Sequence, residues 1–176
     1  MTDREQLLVE LVDEHGQAQG ATTVAEAHTP PGRLHRAFSV LLYDRSGRAL
    51  LQQRASGKTR FASRWSNTCC GHPPPGADVS TAAADRLAAE LGLAASLREA
   101  GVFTYRAADP GSGRVEHEWD HVLVGTLSGD TPVRPEPSEV SAWAWIAPER
   151  LRRSLAAEPD RYTPWLAQVL RIGHGG

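Results

Sequence analysis

The sequence predicts a single domain of the α/β (α+β) class. Its 176 residues suit one domain with a substantial core, and we find no internal repeat that would divide them. Short apolar runs typical of strands are interspersed with Ala-rich and Leu-rich segments typical of helices. We therefore expect one domain over residues 1–176, with residues 173–176 as a disordered tail.

The individual elements follow from the apolar runs and from the turn residues between them. Strands are predicted at residues 7–13, 36–43, 49–54, 102–106, 115–127 and 141–146. Gly16 and Gly20 are expected in the turns of a first hairpin, and residues 44–47 in the turn of a second. Helices are predicted at residues 78–91, 148–155 and 166–172. For the first of them, Ser80 or Asp78 is available as the N-cap and Gly92 as the stop.

The charge balance and the cysteine content exclude several classes of partner. The 19 Lys and Arg residues nearly balance 21 Asp and Glu residues, so a general attraction to nucleic acid or an anionic membrane is not indicated. No apolar run is long enough for a signal peptide or a membrane span. The two cysteines are adjacent and cannot form an ordinary structural disulfide, which agrees with a reducing compartment. We expect a cytoplasmic monomer.

Residues 67–72 contain both thiols and an imidazole, the most reactive side chains of the chain. If extended pairing continues through this segment, the two-residue strand period puts Cys70 and His72 on one face and Cys69 on the other. In that case only one of the two thiols needs to face a functional site. A structural zinc site using both thiols is the alternative, but adjacent cysteines rarely bind one ion and no second cysteine pair exists.

The predicted strand 115–127 carries a row of carboxylates. The strand period puts Glu116, Glu118 and Asp120 on one face, and two histidines and a tryptophan on the other. Such a row repels itself unless it is solvated or neutralised by a cation, and the apolar residues 122–124 indicate that this strand enters a core. The pattern favours a bound cation.

Imidazole and carboxylate together suit borderline divalent ions such as zinc, manganese or iron, whereas magnesium prefers oxygen ligands. The candidate ligands are His28, His35, His72, Glu116 and Glu118. They outnumber the ligands of a usual zinc site, which favours a six-coordinate ion. The breaker run at 30–32 puts the first two histidines on a loop that folds back. A lone histidine is more often a satisfied or exposed side chain, so only the combination points to a metal.

Residues 44–64 hold six basic side chains against one acid. For Arg45, Arg48 and Arg60, a solvated surface loop is an equally good interpretation. Arg54 and Lys58 are better candidates for anion binding because they are close in sequence to the thiol segment. On the predicted helix 78–91, Arg86 and Glu90 share a face, either as a surface ion pair or as ligands of a substrate and its metal.

In their order and rough spacing, these residues resemble the type I isopentenyl diphosphate isomerase family, a branch of the Nudix fold. The resemblance runs through nearly the whole chain and is carried by residues 27–29, 34–39, 54–58, 65–73, 90–92, 105–107, 116–118 and 163–165. It implies a mixed β-sheet sandwiched between helices. It also implies an isomerase of isoprenoid biosynthesis that converts isopentenyl diphosphate to dimethylallyl diphosphate, a small-molecule substrate.

The resemblance assigns a role to each matching residue. One divalent ion (manganese, zinc or magnesium) would be held by His28, His35, His72, Glu116 and Glu118. Catalysis would use Cys70 and Glu118 as the acid/base pair, with Tyr105 beside Glu118. The diphosphate would be bound by Arg54, Lys58 and Arg86, and a second magnesium ion arriving with it by Glu90. Trp165 would lie against the hydrocarbon part.

Three positions depart from the family pattern and bear on substrate affinity. Val24 stands where the pattern has a diphosphate-binding lysine, Asp85 where a basic residue is common, and Ala77 where an acid is usual. Two alternatives therefore stay open. One is a Nudix hydrolase, although its acidic motif counted from Gly71 keeps only Glu90. The other is a metal-binding paralogue with impaired catalysis.

Overall fold

The structure is a computed structural model that describes residues 3–174. Its strands are β1 Leu8–Val12, β2 Ala18–Thr23, β3 His35–Tyr43, β4 Ala49–Arg54, β5 Trp65–Ser66, β6 Cys69–Gly71, β7 Arg98–Ala108, β8 Val115–Thr126 and β9 Val140–Ile146. Its α-helices are α1 Val24–Ala27, α2 Val79–Leu91, α3 Pro148–Ala157 and α4 Leu166–His174. Two short 3-10 helices cover Arg4–Gln6 and Pro159–Arg161.

The strands form one mixed sheet in which β3 is central. Along one edge, β3 runs parallel to β8, from the pair His35 and Glu118 to the pair Tyr43 and Thr126. Along its other edge it pairs in turn with β1, β6 and β4. Beyond these strands, β7 is antiparallel to β8 and β9 is antiparallel to β4. The predicted hairpin of β3 and β4 forms, but the two strands pair only at Tyr43 and Ala49 and then diverge.

The thiol segment fills the space where β3 and β4 diverge. β5 pairs with β4, and β6 pairs with β3, so the chain crosses from one strand to the other at residues 67–68. The Thr68 hydroxyl donates to the Leu50 carbonyl at 2.7 Å and accepts from the Leu42 amide at 2.8 Å. A single side chain thereby satisfies backbone groups that the diverging strands leave without partners.

Helices cover both faces of the sheet, which confirms the predicted sandwich. On one face, α2 buries Leu87 and Leu91 against β3 and β8 residues such as Phe38 and Leu123. On the other face, α3 and α4 pack over Leu41, Ala49, Leu51, Val122 and Val124. The alternation of β3 and β8 side chains explains the two cores, because successive residues of a strand point to opposite faces.

Several local predictions hold, and others are wrong. Asp78 caps α2 by accepting from the Thr81 amide at 2.8 Å, and Gly92 ends it in the left-handed conformation. Gly20 lies within β2 instead of a turn. His28 caps the one-turn helix α1, where we expected a loop.

The last helix is longer than predicted. It reaches His174, so residues 173–174 are helical and not part of a disordered tail; residues 175–176 lie outside the described part. Gly173 packs closely against Leu41, Tyr43 and Val124, which explains why the helix continues through a glycine. Within residues 3–174, no helix is long and apolar enough to cross a membrane.

Candidate metal centre and active site

The five predicted metal ligands, scattered over 91 sequence positions, converge at one end of β3 and β8. One nitrogen or oxygen atom from each of His28, His35, His72, Glu116 and Glu118 lies within 4.8 Å of all the others. Strand register explains part of this arrangement, because His35 pairs directly with Glu118. The cap of α1 and the residue after β6 supply the remaining histidines.

The imidazoles are oriented by backbone carbonyls. His28 Nδ1 donates to the Val24 carbonyl and His35 Nδ1 to the Arg33 carbonyl, both at 2.7 Å. The Nε2 atoms therefore point inward, and His28 Nε2 lies 2.8 Å from Glu116 Oε2. A lone-pair nitrogen and a carboxylate oxygen at this distance require a positive charge between or beside them, from a proton or a metal ion.

The chemistry of the donor set fits a divalent ion. His35 Nε2 is buried, lies 3.7 Å from Glu118 Oε1, and has no hydrogen-bond partner within residues 3–174. Burial lowers the pKa of His72 to about 4 and outweighs the neighbouring Glu118, which acts to raise it. The His72 imidazole is therefore neutral at pH 7, and neutral imidazole is the form that binds metals. Burial acts to raise the pKa of Glu118, but the adjacent His35 and His72 imidazoles outweigh it and hold that pKa well below its usual value.

Asp120, the third carboxylate of the row, is not part of this group. Its side chain is fully buried, and Oδ2 accepts from the Ser39 hydroxyl at 2.7 Å. Burial, followed by the Glu118 carboxylate, raises the pKa of Asp120 well above its usual value. Of the three carboxylates in the row, Glu116 and Glu118 are the two that lie with the histidines.

The two thiols face opposite sides of the sheet, as the strand period predicts. Cys69 is packed in the core beneath α2, whereas Cys70 packs against the core that contains Trp165. Cys70 Sγ donates to Asn67 Oδ1 at 3.3 Å, and Trp165 Nε1 donates to the same oxygen at 3.1 Å. Burial raises the pKa of Cys70 to about 12, so the thiol is protonated at neutral pH.

Tyr105 lies beside Glu118, as the resemblance implies. Its hydroxyl donates to Glu118 Oε2 at 2.7 Å, and its ring centre lies 5.6 Å from that of Trp165. Burial, followed by the Glu118 charge, raises the pKa of Tyr105 well above its usual value. Tyr105 thus contacts Glu118 through its hydroxyl and Trp165 through its ring.

Two of the three predicted diphosphate ligands, Lys58 and Arg86, meet at one carboxylate. Lys58 and Arg86 both contact Glu139 Oε2, the latter at 3.0 Å, and Arg86 also pairs with Glu90. Arg54 lies apart from this group: its guanidinium donates to the Arg60 and Phe61 carbonyls and lies 5.8 Å from the centre of the Trp165 ring.

Sequence reasoning missed several residues that organise the site. Asn67 and Glu139 were assigned no role, although each joins side chains from distant segments. Arg60 is not part of a solvated loop, because its side chain is 11% exposed and donates to Glu116 Oε1 at 3.2 Å. Buried polar residues within otherwise apolar strands were the available signal for Asn67. No sequence pattern connects Glu139 to Arg86.

The comparisons with known proteins agree with this geometry. Residues 33–166 match the NUDIX domain family. The isopentenyl-diphosphate Delta-isomerase of Nocardia farcinica is 66% identical over 164 residues, which cover 93% of this chain and 93% of that protein. The chain belongs to the isopentenyl-diphosphate Delta-isomerase family. Members from Streptomyces coelicolor and Halorhodospira halophila are 48% and 43% identical over 94% and 93% of this chain, and over 83% and 93% of their own length.

Solved structures support the NUDIX fold independently. The Deinococcus radiodurans protein DR0079 superposes with a TM-score of 0.75 at 20% identity and covers 95% of this chain and 99% of its own. The MutT protein of Methanosarcina mazei gives a TM-score of 0.64 at 16% identity and covers 81% and 94%. At these identities the likeness concerns the fold alone.

The positions that depart from the isopentenyl-diphosphate Delta-isomerase pattern differ in their surroundings. Ala77 and Asp85 are exposed, and Asp85 lies on α2 next to the inward-facing Arg86. Val24 is buried at the start of α1 and offers no charge to the site. Of the three departures, Val24 is thus the one that lies in the interior.

A divalent ion is expected to stabilise the fold. For protein first treated with a chelator, adding Mn²⁺ or Zn²⁺ at about 100 times the dissociation constant contributes about 2.7 kcal/mol, which corresponds to a rise of roughly 5–10 °C in melting temperature. Differential scanning fluorimetry measures this shift. His35→Ala should abolish most of it, whereas His15→Ala, at an exposed position, should leave it intact. Equal shifts in both variants would contradict the proposed ligand set.

Proposed function

We propose that this protein catalyses the isomerisation of isopentenyl diphosphate to dimethylallyl diphosphate, with Cys70 and Glu118 as its acid/base pair. The observation that carries the proposal is the placement of these two groups. Cys70 is paired with Ser39, and Glu118 with His35, so they flank the two edges of the central strand β3. Asn67 Oδ1 accepts from both Cys70 and Trp165. The Trp165 ring contacts Tyr105, which donates to Glu118.

The reaction requires a proton to be added to the terminal carbon of an unactivated alkene. Positive charge then develops on the tertiary carbon, and a second proton leaves the neighbouring methylene group on the diphosphate side. Two proton-transfer groups on different sides of the substrate meet this requirement. A thiol that is protonated at neutral pH and an ionised carboxylate supply one donor and one acceptor.

The surroundings of the pair suit a cationic intermediate. Water would capture such a cation, and Glu118 and Trp165 are 7% and 3% exposed. We propose that Trp165 lies against the hydrocarbon part of the substrate, where an aromatic face stabilises a cation by roughly 0.5 to 2 kcal/mol. Tyr105 holds one oxygen of Glu118 by its hydrogen bond and leaves the other to the histidine side.

We further propose that His28, His35, His72, Glu116 and Glu118 hold one divalent ion, for which manganese, zinc and magnesium are the candidates. When bound, such an ion supplies positive charge that fixes Glu118 and lowers its proton affinity. Glu90, buried in α2 beside Arg86, is the proposed ligand of a second magnesium ion that enters with the diphosphate.

Lys58 and Arg86 are the proposed diphosphate ligands, together with Arg54. The assignment of Lys58 and Arg86 is supported by their shared ion pair with Glu139. Guanidinium and ammonium groups form strong charge-assisted hydrogen bonds with phosphate oxygens. Arg54 would have to release the Arg60 and Phe61 carbonyls to take part. We also propose a monomer in the cytoplasm, in keeping with two free thiols.

Hydrolysis of a phosphorylated substrate is not favoured by the same geometry. That reaction needs several carboxylates on α2 to gather magnesium, and Glu90 is the buried carboxylate that α2 presents. The other acidic positions of the motif hold Ala77, Arg86 and Ala89, none of which can bind magnesium through a carboxylate.

Incubation with isopentenyl diphosphate in deuterated water tests the proposal. The expected product is dimethylallyl diphosphate with deuterium in a methyl group, detected by NMR and mass spectrometry. Turnover at roughly 1 per second or faster would lie in the ordinary enzyme range. Absence of label and product from metal-loaded protein would remove the isomerase assignment, and release of phosphate would favour the hydrolase.

A further inference from the structure

Glu139 collects three cationic groups from three separate parts of the chain. Its Oε1 atom accepts from Arg4 Nη1 at 2.9 Å, while Oε2 contacts Lys58 and, at 3.0 Å, Arg86 Nη2. The Glu139, Lys58 and Arg86 side chains are largely buried, at 11%, 18% and 16% exposed. Arg4 was absent from the residues that the sequence marked for diphosphate binding. The structure brings it to the same group.

The cluster has more positive charge and more donors than its own carboxylates satisfy. Glu90 is the other carboxylate in contact with Arg86, so three cations face two acids. Arg86 Nε is buried and has no hydrogen-bond partner within residues 3–174. The oxygens of a carboxylate and of a phosphate accept the same charge-assisted bonds, but a diphosphate has more oxygens and more charge. The cluster therefore suits a diphosphate better than a single carboxylate.

Arg4 is held in place by its neighbours. It begins the 3-10 helix Arg4–Gln6, whose next residue, Glu5, accepts from Arg60 Nη1 and Thr59 Oγ1 at 2.9 Å each. The Arg60 side chain is largely buried and also contacts Glu116. The Leu7 carbonyl accepts from the Val24 amide at 2.8 Å, which ties the end of this turn to α1. The turn is thus connected to α1 and, through Arg60, to the candidate metal ligand Glu116.

We propose that Arg4 is a substrate-binding residue whose guanidinium joins Lys58 and Arg86 in holding the diphosphate group. This inference rests on the proposed function. Glu139 then yields the three cations by rotating its side chain, while its backbone stays fixed by bonds with Ala55 and Glu136. Leu7 links the Arg4 turn to Val24, because its amide donates to the Arg4 carbonyl and its carbonyl accepts from the Val24 amide. Val24 is an apolar residue and brings no charge to the cluster.

A simple surface ion pair is the alternative account of Arg4, because half-exposed pairs usually contribute little. Arg161 provides a matched control. The Arg4 side chain is 47% exposed and pairs with Glu139, and the Arg161 side chain is 50% exposed and pairs with Glu158 at 3.6 Å. The two arginines differ in that Glu158 has no contact with Lys58 or Arg86 among the ion pairs of residues 3–174.

Isothermal titration of the full chain with inorganic diphosphate in the presence of Mg²⁺ tests the proposal. Arg4→Ala should weaken diphosphate binding about tenfold, as expected for one charge-assisted contact. Arg4→Lys should weaken it by about threefold, because a lysine keeps the charge but loses the planar donor geometry. Arg161→Ala should stay within about twofold of the unmodified protein, the small effect expected for an exposed ion pair.

Steady-state kinetics with isopentenyl diphosphate adds a second readout. Arg4→Ala should raise KM about tenfold and leave kcat within about twofold, since binding that is equal in the ground and transition states affects KM alone. Equal diphosphate affinities for Arg4→Ala and Arg161→Ala would overturn the proposal. So would a loss of kcat with diphosphate affinity unchanged, because Arg4 would then act by positioning other groups.

Failure of this proposal and failure of the proposed function give different results. Binding of inorganic diphosphate needs no turnover, so an Arg4-dependent affinity in a protein that makes no dimethylallyl diphosphate supports the Arg4 assignment and removes the isomerase. Isomerisation combined with Arg4-independent diphosphate binding removes the Arg4 assignment and leaves the isomerase in place.

Discussion

Replacing Cys70 with Ala is expected to abolish isomerisation and deuterium exchange, whereas replacing Cys69 with Ala should leave most of both. Loss of a proton-transfer group lowers kcat by about 10² to 10⁴-fold. Cys70 lies on the face of the sheet that contains Trp165 and Glu118, and Cys69 is packed beneath α2 on the opposite face. The comparison therefore uses two adjacent residues of the same type with opposite surroundings.

The Cys70 experiment needs a variant that preserves local packing. Cys70→Ser keeps a small polar group that can donate to Asn67 Oδ1, as the thiol does at 3.3 Å. We expect Cys70→Ser to fold and to be as inactive as Cys70→Ala, because a serine hydroxyl is a much weaker acid than a thiol. Cys69→Ala should lose about 1 kcal/mol or more of stability through the cavity it leaves. Equal loss of exchange in the Cys69 and Cys70 variants would contradict the assignment of Cys70.

Glu118→Gln is expected to remove both activity and tight metal binding. Glu118 accepts from Tyr105 on one oxygen and lies 2.9 Å from His72 on the other, at the centre of the ligand group. An amide of the same shape keeps the packing but loses the charge and one acceptor. We expect a fall in kcat of about 10³-fold. Metal affinity should fall by at least about 100-fold, because removing even a residue that only hydrogen-bonds to a metal ligand can cost that much.

Asp120→Asn is the matched control for Glu118→Gln. Asp120 lies two residues further along β8, on the same face and fully buried, but it contacts Ser39 instead of the metal group. Burial raises the pKa of Asp120 and so disfavours its charged form, and an uncharged asparagine keeps an oxygen that can accept from the Ser39 hydroxyl. Metal content, measured by mass spectrometry after gel filtration, should be kept in Asp120→Asn and lost in Glu118→Gln. Retention of metal in both variants would exclude Glu118 as a ligand.

Some predictions depended on local rules that the structure obeys. The period of two along β8 correctly separated Glu116 and Glu118 from the histidines of the opposite face, because alternation is a property of any strand. The caps of α2 were also local, since a helix end is defined by residues a few positions apart. The length of α4 was predicted wrongly because its end depends on packing against β3 and β8.

The sequence by itself determined the residue types and their spacing, which are enough to indicate the fold class, the family, and the set of histidines, carboxylates and thiols available for chemistry. Tertiary structure decided how those side chains meet. Glu139 contacts Arg4, Lys58 and Arg86 because the fold brings the turn at residues 4–6, the loop after β4 and the middle of α2 next to one another. Contacts between residues far apart in the chain follow from sheet topology and packing, which no local period encodes.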